Sequence, residues 1–552
     1  MLALALAQGP GAAAGCNPSI VQGRMPAPDA APPPARDAGF VFDPHPAVAP
    51  ARSQPVASSG PWGGQLLDPG DPGLPATAPA LFSGRETTTD GPELVYPLDG
   101  SLHPTNLLDM SVQWRRGAAT QSLYRLRFEN ERGRYDVFVR CARTECSYSL
   151  PEEAWRAVAG LNRDRDVSLS VTAAPASQGA DDARSRPVSL HFSPGRVEGG
   201  LYYWSTSLQG TYRLTLGQKK AAPFIPPAQG GGCNGCHAVS RNGKWIAWTD
   251  MTASSDTFRP QSLRLAPTDA PSMRTGDTTM AASTMALSPD GSRVLVSRPD
   301  GQLLLRDTAS AAVLGAVDPA FIGAGKAAFF PEWSPDGREI AVTVGTSVPV
   351  GVTGFNLADA DIAVLPYNDG AFGPARTVVA HGKDINYYPS WSPDGRWLVF
   401  SSAPAVSFPA ARTYDNPQAR LRLVPASGGP VRELGRATQG EGHTASWPKF
   451  TPFSQLGGKL LFVTYSAKID YGFVVRGGTT PQLWLAAIDL RGVEDDPSSD
   501  PSWAPVWLPF QEPDQNNHLP FWTESLDCTD SVGCGPGASC KDGACVPDRV
   551  IE

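Results

Sequence analysis

Phe330-Pro-Glu-Trp-Ser-Pro-Asp-Gly-Arg-Glu-Ile-Ala-Val342 is the stretch on which the fold turns. Its centre, Ser-Pro-Asp-Gly, suits a tight turn. Proline holds φ at about −65°, the aspartate bonds its own backbone, and glycine accepts a positive φ. Apolar residues on both sides make two short strands joined by that turn. Thr284-Met-Ala-Leu-Ser-Pro-Asp-Gly-Ser-Arg-Val-Leu-Val296 and Tyr388-Pro-Ser-Trp-Ser-Pro-Asp-Gly-Arg-Trp-Leu-Val-Phe400 repeat it. Trp447-Pro-Lys-Phe-Thr-Pro-Phe453 with Gly458-Lys-Leu-Leu-Phe-Val463 is a copy with an expanded turn. Cys236-His-Ala-Val-Ser-Arg-Asn-Gly-Lys-Trp-Ile-Ala-Trp248 heads the series, and Leu519-Pro-Phe-Trp522 is a final half unit. The starts recur about 45–60 residues apart, the period of propeller blades.

These units resemble the TolB-like, WD-like propeller repeats, over about half the chain. The resemblance implies a mainly β fold with a six-bladed β-propeller at residues 200–525. In the sixth blade the C-terminal half unit would join Leu201-Tyr-Tyr-Trp204 and Thr211-Tyr-Arg-Leu214, a closure that leaves no free sheet edges. Outer strands are expected at Ser262–Leu265, Gln302–Leu305, Asp361–Leu365, Arg420–Leu423 and Gln482–Leu485. Trp333, Trp391, Phe450 and Trp522 read as repeat core. Fold alone does not assign function, because propellers host binding, catalysis and scaffolding alike.

The first unit carries a second signal. Cys233-Asn-Gly-Cys236-His237 has the spacing of a c-type haem attachment site. Two thiols on one short loop form thioethers with the haem vinyl groups, and the following histidine reaches the iron from the same face. One covalent haem is therefore expected on Cys233, Cys236 and His237. No helical domain follows of the kind that usually wraps such a haem, so the propeller itself must cover it. Cys236 aligns with Thr284, Phe330, Tyr388, Trp447 and Leu519, which by resemblance places it at the mouth of the central channel. Met285, His443, Asn386, Tyr387 and His518 converge there. As distal ligand His518 comes first, because blade six abuts blade one. Met285 is second and His443 third; Met251 and His381 fall on loops. The alternative is a Cys233–Cys236 disulfide on a binding or scaffold propeller without haem. A thioredoxin-like exchange site would want a helix after the first cysteine, and a strand follows instead.

The flanks are read from composition. The 552 residues include 56 glycines and 55 prolines, with only 18% charged, which fits a turn-rich β protein. The net charge of −8 argues against nucleic acid. No run of 18 apolar residues predicts a spanning helix. Residues 1–16 resemble a signal peptide ending in a lipobox-like Ala13-Ala-Gly-Cys16. Cys16 would carry the lipid, although Ala13 replaces the usual leucine and no basic residue precedes Arg24. Residues 17–89 read as a tether too poor in apolar periodicity to fold. Short alternating strands over 90–199 suggest a fibronectin-III-like or Ig-like β-sandwich, with Cys141 and Cys146 bridging a hairpin. Residues 526–552 hold Cys528, Cys534, Cys540 and Cys545 in an EGF-like spacing, expected to form two disulfides. This cysteine usage points to an oxidising, extracytoplasmic address: the periplasm, an outer-membrane lipoprotein or a bacterial cell surface. The chain contains no Gly-x-Ser-x-Gly elbow, His-Glu-x-x-His or phosphate loop. The expectation is electron transfer or redox sensing with an envelope or redox protein as partner. If the chain is an enzyme, it is a haem-dependent oxidoreductase.

Overall fold

The structure, a computed structural model, describes residues 62–175, 180–226, 233–254, 257–273, 275–277, 282–346, 357–405, 413–440, 443–476, 480–493, 496, 498–526, 538–541 and 544–547. Cys16, the signal and lipobox segment, residues 17–61, Cys528 and Cys534 lie outside them.

The N-terminal part is built from two sheets facing one core. The larger runs in the order Trp62–Leu67, Gly133–Arg140, Leu123–Asn130, Arg165–Ala173, Asp182–Arg184, Glu86–Thr87, with Val188–Phe192 pairing on Arg165–Ala173 and on Ser101–His103. The smaller consists of Glu93–Tyr96, Ser111–Arg115 and Glu145–Ser149. Val112 and Trp114 of the smaller sheet bury against Tyr124, Leu126, Val137 and Phe192 of the larger. Two expectations change. The tether was expected to reach residue 89, but Trp62–Leu67 pairs in parallel with Gly133–Arg140, and Trp62 is buried in the shared core. One anchoring tryptophan and a ladder to pair with suffice where the segment's own periodicity does not. Cys141 and Cys146 do form a disulfide, with an S–S distance of 2.07 Å. It spans the crossover from one sheet to the other, because Gly133–Arg140 and Glu145–Ser149 do not pair with each other.

Among the described residues six further sheets of four or five strands follow. Their innermost strands are Cys233–Val239, Thr284–Leu287, Ala327–Trp333, Asp384–Trp391, Ser446–Phe450 and Asn517–Thr523, here blades one to six. Consecutive innermost strands touch, and that of blade six touches blade one, which makes a β-propeller. Blade six is completed by Gly200–Ser205, Gly210–Thr215 and Ala222–Ile225, so strands from both ends of the repeat region zip the ring shut.

The repeat turn explains its own sequence. In blades one to four the glycine N–H donates to the carbonyl of the turn's serine at 2.9 Å, and Gly243, Gly291, Gly337 and Gly395 have φ between +69° and +77°. The serine hydroxyl donates to the Asp (Asn242 in blade one) at 2.5–2.7 Å. It also accepts from the N–H five residues on, at 2.9–3.0 Å. Trp333, Trp391, Phe450 and Trp522 are buried. The indole N–H of Trp333 donates to Ala286 and that of Trp391 to Glu332, each a carbonyl of the preceding blade.

The N-terminal sheets dock on blade five. The Tyr96 hydroxyl accepts from the Trp507 N–H at 3.0 Å, and its ring meets Tyr471 edge-on at 4.8 Å. Gln113 accepts from the Phe473 N–H at 3.1 Å, and His191 lies over Trp503 at 4.8 Å. Near the C-terminus, Ala538–Lys541 pairs with Ala544–Pro547 in a hairpin. Cys540 and Cys545 are both disulfide-bonded, and both pack on the blade-one core beside Leu526 and Val239. Among the described residues no helix is long and apolar enough to cross a membrane.

Candidate functional site

The innermost strands share a local defect. Cys236, Phe330, Tyr388, Trp447 and Leu519 all have positive φ, between +22° and +57°. At each one the pairing with its neighbour strand skips, as in a β-bulge. Bulky side chains seldom adopt such φ values, so five repetitions mark a shared feature of these inner strands. Blade two is the exception: Thr284–Leu287 pairs without a break. After the bulge residue comes Pro331, Pro389, Pro448 or Pro520 in blades three to six, which suits a position with no ladder partner for its N–H. In blade one that position holds His237.

The Cys233–Val239 strand pairs with Trp245–Ser254, Cys233 standing opposite Met251, so Met251 belongs to a strand and not a loop. The Cys236 thiol is free and half-buried. Burial pushes its pKa up to about 12, so it rests as the thiol. That is the opposite of the lowered pKa a thiol-exchange site needs.

His237 is 3% exposed, and no described residue hydrogen-bonds either ring nitrogen. Its ring lies 5.2 Å from Phe521. Burial, with the Lys449 charge adding to it, pushes the imidazole down to about 3. His237 is therefore neutral, the form that binds metals. An unpartnered buried polar group costs about 1–3 kcal/mol, so an imidazole with two bare nitrogens calls for a partner. Of the donors a covalently attached haem needs, Cys236 supplies one free thiol and His237 beside it a neutral imidazole with both nitrogens available, while the Cys233 side chain lies outside the described residues.

His518 is fully buried, with both ring nitrogens lacking a described partner and its pKa pushed down to about 3 by burial. It is walled by Trp447 at 5.5 Å, Tyr414 at 5.7 Å and Trp204 at 6.1 Å. Asn386 and Tyr387 are buried; Asn386 accepts from Ser402 at 2.9 Å, and the Tyr387 hydroxyl accepts from the Leu357 N–H at 2.7 Å. Met285 packs in the core between blades one and two, the cluster that Cys236 and Phe521 also join. His443 precedes the blade-five strand, its Nδ1 donating to the Gln439 carbonyl at 2.8 Å. His381 contacts Asp361 at 2.6 Å on the blade exterior.

Sequence reasoning expected a central channel but missed the residues that line it. Two residues after each bulge, and at the aligned position of blade two, stand Ala238, Ala286, Glu332, Ser390, Lys449 and Phe521. The last five line an open channel whose volume is ≈ 70 Å³. Lys449 pairs with Glu332 across it, and the Lys449 ammonium sits 4.4 Å from the Phe521 ring centroid. The repeat alignment held the signal, since this position carries opposite charges in blades three and five. Among the described residues no three His, Cys, Asp or Glu side chains gather into a metal-binding group.

No protein-family model matches the sequence, and no curated protein matches it. Solved structures similar to this chain include propeller proteins. One comes from a nidogen/laminin complex, with 14% identity, spanning 59% of this chain and 98% of that one, at a TM-score of 0.38. An oligogalacturonate lyase in complex with manganese has 12% identity over 54% of this chain and 73% of that one, at 0.30. The Dos1 propeller has 11% identity over 51% and 64%, at 0.29.

Proposed function

We propose that this chain is an extracytoplasmic c-type haem protein that transfers or senses electrons at a bacterial envelope. Cys233 and Cys236 hold one covalent haem, and His237 is an axial ligand. The observation that carries this reading is His237, a neutral, buried imidazole without a described hydrogen-bond partner, set where the other bulges place proline. The free thiol of Cys236 supports it over a disulfide at the same motif. Disulfides at Cys141–Cys146 and at Cys540 and Cys545 support an oxidising compartment.

Bound there, the haem supplies a one-electron couple whose potential the axial ligands and local polarity set. The chain's part is to attach, orient and shield it. The bulge turns Cys236 out of the ladder, burial keeps His237 unprotonated, and the packed blades exclude water. A redox protein is the partner class.

Expression with a haem-maturation system, followed by a pyridine haemochrome spectrum, tests the reading. The expected result is one c-type haem per chain. A Cys233→Ser/Cys236→Ser double variant should be colourless with unchanged far-UV circular dichroism. A colourless wild type whose mass shows a Cys233–Cys236 disulfide would overturn the proposal in favour of a binding propeller.

A further inference from the structure

We propose that the propeller channel is a binding site for a small free α-amino acid, of the size of glycine or alanine. The site stands with or without haem, because it lies apart from the Cys-x-x-Cys-His motif. All six blades line the channel. Its walls run from the second position after the bulge into the repeat turn, as with residues 332–335 and 449–452, and none of the positive-φ bulge residues lines it. The charged groups of the lining are Arg241, Glu332 and Lys449.

Lys449 and Glu332 form an ion pair with side chains only 12% and 19% exposed. Such a pair does little for stability, because the cost of desolvating two charges offsets their attraction. The equivalent position holds Ala238, Ala286, Ser390 and Phe521 in the other blades, so the ring closes there without charge. The pair also leaves hydrogen-bonding capacity unused. An ammonium has three donors; that of Lys449 serves Glu332 and lies 4.4 Å from the Phe521 ring centroid, which leaves a donor to spare. Glu332 Oε1 has Ser390 Oγ at 3.5 Å, beyond the about 2.5–3.0 Å of a good O–H···O bond. Arg241 Nε donates to Glu524 at 2.9 Å and Nη2 to the Pro452 carbonyl at 2.7 Å, while Nη1 has no described partner. The spare donors of Lys449 and Arg241 suit a carboxylate, and the spare oxygen of Glu332 suits an ammonium. A carboxylate alone would meet the charge of Glu332, and an ammonium alone that of Lys449. A zwitterion satisfies both signs in one small body. The volume of ≈ 70 Å³ has room for about five water-sized groups at roughly 10–15 Å³ each. That admits glycine or alanine and excludes a long side chain.

Isothermal titration of the full-length protein with glycine and with L-alanine tests the site. Saturable binding at one site per chain is expected. Acetate, which lacks the ammonium, and glycinamide, which lacks the carboxylate, should each bind at least tenfold more weakly than glycine. L-Leucine should bind at least tenfold more weakly than L-alanine. A Glu332→Gln/Lys449→Met double variant removes both charges without leaving one of them buried alone, and it should lose at least tenfold in affinity for L-alanine with unchanged far-UV circular dichroism. The proposal is overturned if neither glycine nor L-alanine binds, which would leave a channel holding only water. It is equally overturned if acetate, glycinamide or L-leucine binds as tightly as the small amino acids, or if the double variant binds L-alanine as the wild type does. Should the double variant not fold, the acetate and glycinamide comparison on the wild type decides.

Discussion

His103, His237 and His518 are all buried, and burial pushes each imidazole down to about 3 from an ordinary value of 6.5. The sign of the pH effect follows. Below pH 6.5 the unfolded chain takes up protons that these folded histidines refuse, so stability is full above that value and falls as pH drops toward 3. Each such histidine accounts for up to about 1.4 kcal/mol per pH unit in that window. Urea denaturation of the haem-free chain between pH 6.5 and about 5 should show a declining free energy, and His518→Phe should flatten the decline. Identical slopes for the two proteins would mean that His518 is not held neutral by its aromatic walls.

At the scale of an element, the bulged inner strand is the recurring device. Four of the five bulges place proline after the positive-φ residue, so that backbone accepts proline by demonstration. His237→Pro should therefore leave the haem-free fold intact. It removes an unpartnered buried imidazole and stiffens the unfolded chain, an effect of about 0.4–1 kcal/mol in favour of stability. Thermal unfolding of the apo-protein reads it, with a melting temperature equal to or above wild type expected. A clear loss would mean that the histidine is there for packing. The same element shows what spacing alone could carry. The Ser-Pro-Asp-Gly turns were readable because every interaction in them is local, hydroxyl to carboxylate and amide within five residues. The bulges were less readable, although a bulky residue before proline marks where four of the five fall.

At the scale of the molecule, the N-terminal sheets are docked on the propeller, which leaves them no freedom as a loose spacer. Tyr96 is the peg. It is 3% exposed, accepts from Trp507, and packs in the blade-five core with Tyr471. By contrast Arg476 and Glu145, half-exposed, form an ion pair of the kind that contributes little. Tyr96→Ala should cost about 3–5 kcal/mol, as aromatic truncations in cores do, and split calorimetric unfolding into two transitions. A single transition at the wild-type temperature would show that the docking does not couple the two parts. Ring closure is the other molecular-scale feature. Leu519–Trp522 was legible as a half unit, and Leu201–Trp204 as its complement, because neither could bury its apolar face alone.

By itself the sequence determined the repeat, the turn chemistry, the β class and the Cys233-x-x-Cys236-His237 motif, because each is written in residues within a few positions of one another. Only the tertiary structure decided that Trp62–Leu67 belongs to a sheet, that Cys141–Cys146 links two sheets, and that Glu332 meets Lys449 across the channel. It also put Met285 beside Cys236 and walled His518 away among aromatic rings. Apart from the Cys141–Cys146 bond, whose partners are five residues apart, these are contacts between residues far apart in the chain, so no local pattern encodes them.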